Sequence, residues 1–279
     1  MKTPKKNPFF LILICMMLLL LSQTVVAFGL VFWQAGNLFQ QDMTYEQADA
    51  QMLDIMFSRQ TEILLISYAV VLAVLWIMAR RRGQSFWQFG SLDKPAKMPL
   101  YVLAFWAGLA AAFWATIAVN MIPWPEELME SYMTQSGSLT TAKPVLDFLA
   151  VVLIGPLVEE ILFRGIIYDA LCTVVPAGAA VIFQGMLFGS VHSTMIWMLY
   201  ALFMGCVLGY VRKRSGSLRP CIVMHMAFNG ASYLFNWFAE RYGDDQATIT
   251  FMFIFSAFVL LLSLYGISFR TENEKTEKY

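Results

Sequence analysis

Apolar residues in this chain come in long runs, and the polar breaks between the runs delimit the elements. After a short basic head, MKTPKKNP, the first run extends from Phe9 to about Trp33. That exceeds the roughly 20 apolar residues that one bilayer-crossing helix needs. Further runs occupy about 63–78, 100–122, 145–173, 177–193, 195–211, 219–238 and 248–269. The pattern predicts an all-α, polytopic membrane helix bundle with about eight transmembrane helices. The first run also has features of a signal peptide, with a Leu-rich core and Val25-Val26-Ala27 as a cleavage site. It continues well past Ala27, which fits a retained helix better.

The breaks carry their own signals. Arg80-Arg81-Arg82 stops the second run and Arg212-Lys213-Arg214 the sixth. Pro123-Trp124-Pro125 stops the third, with Trp124 suited to the headgroup level. Residues 37–61 are polar and acidic, 83–99 read as a loop or interfacial turn, and 123–144 read as a loop. Inside the fourth run, Gly155-Pro156 should kink or break the helix.

Loop charge tests the count. With eight spans and a cytoplasmic N-terminus, fifteen of the 19 Lys and Arg residues fall on the cytoplasmic side. Arg59, Lys143 and Arg241 fall on the other, and Arg164 lies within a span. This is the positive-inside asymmetry, and it predicts cytoplasmic N- and C-termini in a multi-pass protein, the short loops pointing to a bacterial plasma membrane. Composition agrees: 59% of residues are hydrophobic and 14% charged, against roughly 25% charged in ordinary globular domains. The net charge of zero makes no case for nucleic-acid binding. Cys15, Cys172, Cys206 and Cys221 share no short metal-type spacing and read as packing residues.

The chemistry lies in charges that the pattern buries. Glu159, Glu160 and Arg164 sit in the fourth run, where each charge costs roughly 2.5–3.5 kcal/mol at a helix centre. Glu160 and Arg164 are four residues apart, acid first, the favourable order for an ion pair on one face. Glu159 points about 100° away, unpaired and available. Phe188 and His192 share a face of the fifth run, His225 and Asn229 a face of the seventh. These are the chain's only two histidines, and both are intramembrane. A lone buried histidine is ordinarily a hydrogen-bonded core residue and a lone membrane Glu–Arg pair ordinarily structural; three such sets on three spans are expected to converge on one interior site.

Glu159-Glu160-x-x-x-Arg164, Phe188-x-x-x-His192 and His225-x-x-x-Asn229 resemble the three signature motifs of the CPBP family. That family includes type II CAAX prenyl endopeptidases and bacterial relatives labelled abortive-infection or bacteriocin-processing proteins. All three motifs are present in order, spanning 159–229, and the eight-helix plan is similar; the N-terminal 140 residues add nothing specific. The resemblance divides one integral domain into 1–144 (three spans and loops), 145–240 (CPBP-type catalytic helices) and 241–279 (last span and tail). It implies an intramembrane endopeptidase acting near a prenylated or otherwise lipid-anchored C-terminus, or on a small secreted peptide. Its partners would be the lipid bilayer and that peptide or lipid-anchored substrate.

Peptide hydrolysis needs an activated water, a group that polarises the carbonyl and a proton donor for the amine. Glu159 is the candidate general base and His192 the candidate to share the water or shuttle its proton. His225 and Asn229 are candidate oxyanion donors; Glu160 and Arg164 would anchor the site. The same Glu159, His192 and His225 also form a zinc-type ligand set with an open position. His-Glu-x-x-His is absent, so zinc and metal-free routes both stay open, the metal-free one favoured. Tyr168-Asp169 has no Gly-x-Gly-Asp partner for an aspartyl site, and Asp169 reads as structural. Ser190 and His192 are two apart, on different faces of a helix. A proton-coupled transporter and a non-catalytic immunity or scaffold protein are the alternatives; no inverted repeat supports the first.

Overall fold

The computed structural model describes residues 7–38, 44–139, 143–243 and 245–276, and every regular element among them is helical. The basic head's Lys2, Lys5 and Lys6, the acidic Asp42 and Asp244, and Lys278 of the tail lie outside the described residues. Helix α1 (Pro8–Leu38) is followed by α2 (Tyr45–Ser58), α3 (Gln60–Arg81), the single turn α4 (Phe86–Phe89) and α5 (Met98–Met121). Next comes α6 (Glu126–Gly137), then a helical rod from Pro144 to Leu171. The rod comprises α7 (Pro144–Asp147), a π-helical stretch (Phe148–Ile154), α8 (Gly155–Glu160), a second π-helical stretch (Ile161–Ile167) and α9 (Tyr168–Leu171). Helices α10 (Ala177–Ser190), α11 (Met195–Ser215), α12 (Arg219–Tyr242) and α13 (Gln246–Thr276) complete the chain.

Among the described residues, five helical segments are long and apolar enough to cross a membrane: Pro8–Gln34, Gln60–Arg81, Met98–Met121, Met195–Ser215 and Gln246–Asn273. They match five of the eight expected spans within a few residues. The other three expected spans are the rod, α10 and α12, the three that carry the polar motifs. Their polar residues and the 14-residue length of α10, about 21 Å at 1.5 Å per residue, set them apart from ordinary spans.

Three local expectations change. The acidic stretch contains α2, which starts on a Thr44–Gln47 capping box. The segment read as a loop at 123–144 contains α6, whose Leu128, Met129, Tyr132 and Gln135 are half-buried along one stripe. At Gly155-Pro156 the rod continues without a break. Pro156 has no N–H to give, and the π-helical stretch just before it takes up the missing hydrogen bond by widening the turn.

Apolar packing forms two cores. One joins α1, α3, the rod and α10 through residues such as Leu75, Ile161, Phe163 and Phe188. The other joins α5, α11, α12 and α13 through Ala104, Ala107, Ala111, Leu208, Met224 and Ile267. The small-residue stripe of α5 lets α12 approach closely. At Gly108 a Cβ would collide with the Met224 carbonyl and come within 2.9 Å of Ala227 Cβ. The rod meets α12 where the two cores adjoin, and the polar motifs lie along that seam.

The inner end of the rod is tied down by polar bonds. Arg212 Nε donates to the Arg164 carbonyl at 3.0 Å, and its Nη2 donates to Asp169 Oδ1 at 3.0 Å. Ser91, in the left-handed region at φ 57°, donates to Asp169 Oδ2 at 2.6 Å. Gly165 lets the Gly90 carbonyl approach; a Cβ there would lie 2.6 Å from that oxygen. Asp169 thus has the structural surroundings its sequence position predicts. Of the cysteines, Cys15 and Cys221 are buried and Cys206 half-buried, whereas Cys172 is exposed at the end of the rod rather than packed.

Candidate active site

Glu160 and Arg164 form the expected ion pair, Arg164 Nη1 donating to Glu160 Oε1 at 2.8 Å, with both side chains fully buried. The guanidinium also lies 4.3 Å from the centroid of the Phe188 ring, a cation–π contact in a desolvated setting. Phe188 stands at the middle of the group. Its ring meets those of Phe163, His192 and His225 edge to face, with centroids 5.0, 5.1 and 5.7 Å away. The Phe188 position is therefore an aromatic spacer that holds a cation and two imidazoles at fixed angles.

His225 bridges the two carboxylates. Its Nδ1 donates to Glu160 Oε1 at 2.9 Å, and its Nε2 lies 3.8 Å from Glu159 Oε2. Glu160 Oε1 thus accepts from both Arg164 and His225, which fixes the position of one relative to the other. Glu159 is not left unpaired as its position on the helix implies. Tyr68 of α3 donates its hydroxyl to Glu159 Oε1 at 2.8 Å. Tyr68 is 4% exposed, and the Glu159 side chain retains 17% exposure, the only one of the two carboxylates with an open edge. Gly155 makes room for the tyrosine: a Cβ there would sit 3.3 Å from the hydroxyl and 2.8 Å from the Ala150 carbonyl.

His192 lies just beyond the end of α10, where its Nδ1 donates to the Phe188 carbonyl at 2.9 Å. A carbonyl only accepts, so Nδ1 carries the proton, and neutral His192 presents Nε2 as a lone pair. It lies within electrostatic reach of both Glu159 and His225. Trp197 packs on its other side, 5.5 Å between centroids. Asn229, one turn beyond His225, donates Nδ2 to the Val151 carbonyl in the first π-helical stretch at 2.7 Å. That bond ties α12 to the widened part of the rod and uses one amide N–H.

Six of the seven motif residues, Glu159, Glu160, Arg164, Phe188, His192 and His225, therefore meet directly or through Phe188 between the rod, α10 and α12, whereas Asn229 contacts the rod at Val151. Tyr68 escaped the sequence reading because a tyrosine in an apolar run carries no signal of its own. The charge beside it, Glu159, lies 91 positions away.

Among the described residues no three His, Cys, Asp or Glu side chains come together closely enough to hold a metal ion. His225 gives Nδ1 to Glu160 and Glu159 gives one oxygen to Tyr68. Both bonds are compatible with ligation through His225 Nε2 and Glu159 Oε2, so it is the spacing of the three side chains, not these bonds, that departs from a zinc centre.

No curated protein and no solved structure matches the chain. Residues 141–231 match the family model described as Type II CAAX prenyl endopeptidase Rce1-like. That segment contains the rod, α10, α11 and the His225–Asn229 half of α12, and all three polar motifs. Residues 141–231 of this chain of apolar helices are therefore similar to the Rce1-like type II CAAX prenyl endopeptidases of the CPBP family of proteases.

Proposed function

We propose that the chain is an intramembrane endopeptidase in which Glu159 activates water. The observation that carries this reading is the His225 imidazole seated between two carboxylates, one paired with Arg164 and the other held by a neutral tyrosine. A bundle that needed only mechanical cross-links would gain nothing from leaving Glu159 open at one edge; buried charges without function are costly.

In the proposed reaction, water binds at the open edge of Glu159 beside His192 Nε2. Glu159 Oε2 takes a proton from the water. The resulting hydroxide forms a bond to the peptide carbonyl carbon, and the C=O electron pair moves to oxygen. The oxyanion accepts from the second amide N–H of Asn229 and from Nε2–H of His225 in its doubly protonated form, the only form in which that nitrogen donates. Collapse restores the carbonyl and breaks the C–N bond. The leaving amine takes the proton held by Glu159, with His192 relaying it. Substrates are peptide segments of membrane-anchored proteins or small peptides that reach the seam within the bilayer. The positive-inside charge pattern sets the termini on the cytoplasmic side.

The test is cleavage by purified wild-type and Glu159→Gln protein, coupled to comparative membrane proteomics of cells carrying each. Glu159→Gln is expected to fold and to lose turnover by about 10²–10⁴-fold, the range for a positioned acid–base group. Turnover at the wild-type rate would remove Glu159 from the mechanism. Proton-dependent uptake by proteoliposomes without any cleavage would replace the enzyme by a transporter.

A further inference from the structure

Helix α3 carries a straight file of side chains that the catalytic reading leaves unused beyond its first member. Tyr68, Leu72, Trp76 and Arg80 fall four residues apart, so they line one face over about 18 Å. Leu72 and Trp76 form one wall of a groove of about 390 Å³. Phe86 and Trp87 of α4 form the other wall, and Leu157 and Ile161 of the rod form the floor. The volume is within the roughly 300–1,000 Å³ of small-ligand sites, and these side chains give the groove an affinity for hydrocarbon.

The groove ends in cations. Arg80 lies 5.2 Å from the Trp76 ring centroid, and Arg82 lies 5.1 Å from that of Phe89. Cation–π contact fixes Arg80 on a residue of the groove wall, and Arg81 is exposed beside it. Among the described residues no carboxylate pairs with Arg80, Arg81 or Arg82. Trp76 and Trp87 are 51% and 62% exposed, as suits rings at the headgroup level. A hydrocarbon channel that opens onto unpaired guanidinium groups calls for one ligand with both features.

We propose that this groove binds one anionic phospholipid, an acyl chain lying along Leu72 and Trp76 and the phosphate at Arg80–Arg82. Charge selects this occupant over an uncharged isoprenoid chain, which offers the arginines nothing. The floor residues Leu157 and Ile161 bracket Glu159 and Glu160 in the rod, so the bound chain braces the turn that carries both carboxylates. The site stands on its own geometry and does not depend on what the carboxylates catalyse.

The test uses the full chain in nanodiscs containing phospholipid with brominated acyl chains, which quench nearby tryptophan fluorescence. The signal from the groove is the difference between the wild-type chain and Trp76→Phe/Trp87→Phe. Brominated phosphatidylglycerol is expected to quench it at a mole fraction about fivefold or more below brominated phosphatidylcholine, the preference one basic group near a membrane gives. Arg80→Gln/Arg81→Gln should abolish that preference, and so should Ala73→Phe, which narrows the groove while keeping the arginines. Equal quenching by the two lipids overturns the proposal. A preference that survives Ala73→Phe also overturns it, because attraction to the surface alone would then explain the selectivity. Relief of quenching by farnesol, with no preference between the phospholipids, would give the groove to a neutral isoprenoid and overturn it as well.

Discussion

As the proposed base, Glu159 has to be held in place by groups that do not bind its proton-accepting oxygen, and Tyr68 is a neutral one that reaches the other. The phenol fixes Oε1 and leaves Oε2 for chemistry. A hydrogen bond to a charged group contributes roughly 1.5–3 kcal/mol. Tyr68→Phe should therefore lower kcat by about 10- to 100-fold at nearly constant KM. It should change the melting temperature little, because only one hydroxyl is removed; steady-state cleavage kinetics and thermal denaturation in detergent check both. Arg164 behaves oppositely. It is fully buried with Glu160, and removing one member strands the other charge, at a cost of roughly 3–5 kcal/mol. Arg164→Leu should lose folded protein as well as activity, seen as a lower melting temperature and poor recovery from membranes.

At the scale of elements, the site depends on how closely helices approach. Glycine at 108 lets α12 lie against α5 where Met224, the neighbour of His225, presents its carbonyl. Gly108→Ala forces backbone against backbone, so α12 must move; overpacking of this kind costs typically 1–3 kcal/mol. The expected outcome is inserted protein with reduced stability and cleavage, because His225 is displaced from between the carboxylates. Wild-type thermal stability in Gly108→Ala would show that the contact is not tight. The rod makes a related point. Its π-helical stretches flank α8, which carries both carboxylates, and widened turns often accompany functional sites in helices. Asn229 ties α12 to the first of them through Val151, so the same residue that is proposed to donate to an oxyanion also sets the spacing of the helices around it.

At the scale of the whole molecule, hydropathy and loop charge predict an arrangement in the bilayer that labelling can test. Cys172 is exposed where the rod ends, three residues after Asp169, and near the side to which the basic clusters assign the cytoplasm. A membrane-impermeant maleimide should label Cys172 only after the membrane is permeabilised, tested in a chain whose other three cysteines are replaced by serine or alanine. Labelling in sealed cells would reverse the orientation. The Rce1-like segment, 141–231, does not by itself enclose the candidate site. Tyr68 comes from α3 and the closest support of α12 from α5, both outside that segment.

The sequence by itself determined what lipid imposes most strictly. A bilayer admits long apolar helices and penalises charges, so the helical class, five long apolar helices and the few polar positions that break the rule are legible in one dimension. Glu160 and Arg164 paired as their four-residue spacing requires, because that contact is local to a helix. Only the tertiary structure decided the long-range partners. It placed His225 between two acids, gave Glu159 a phenol from a helix 91 positions away, and turned Asn229 towards the rod. Those choices depend on close approach between helices and on the extra residue in a π-helical turn, neither of which leaves a period or a charge in the chain for a reader to find.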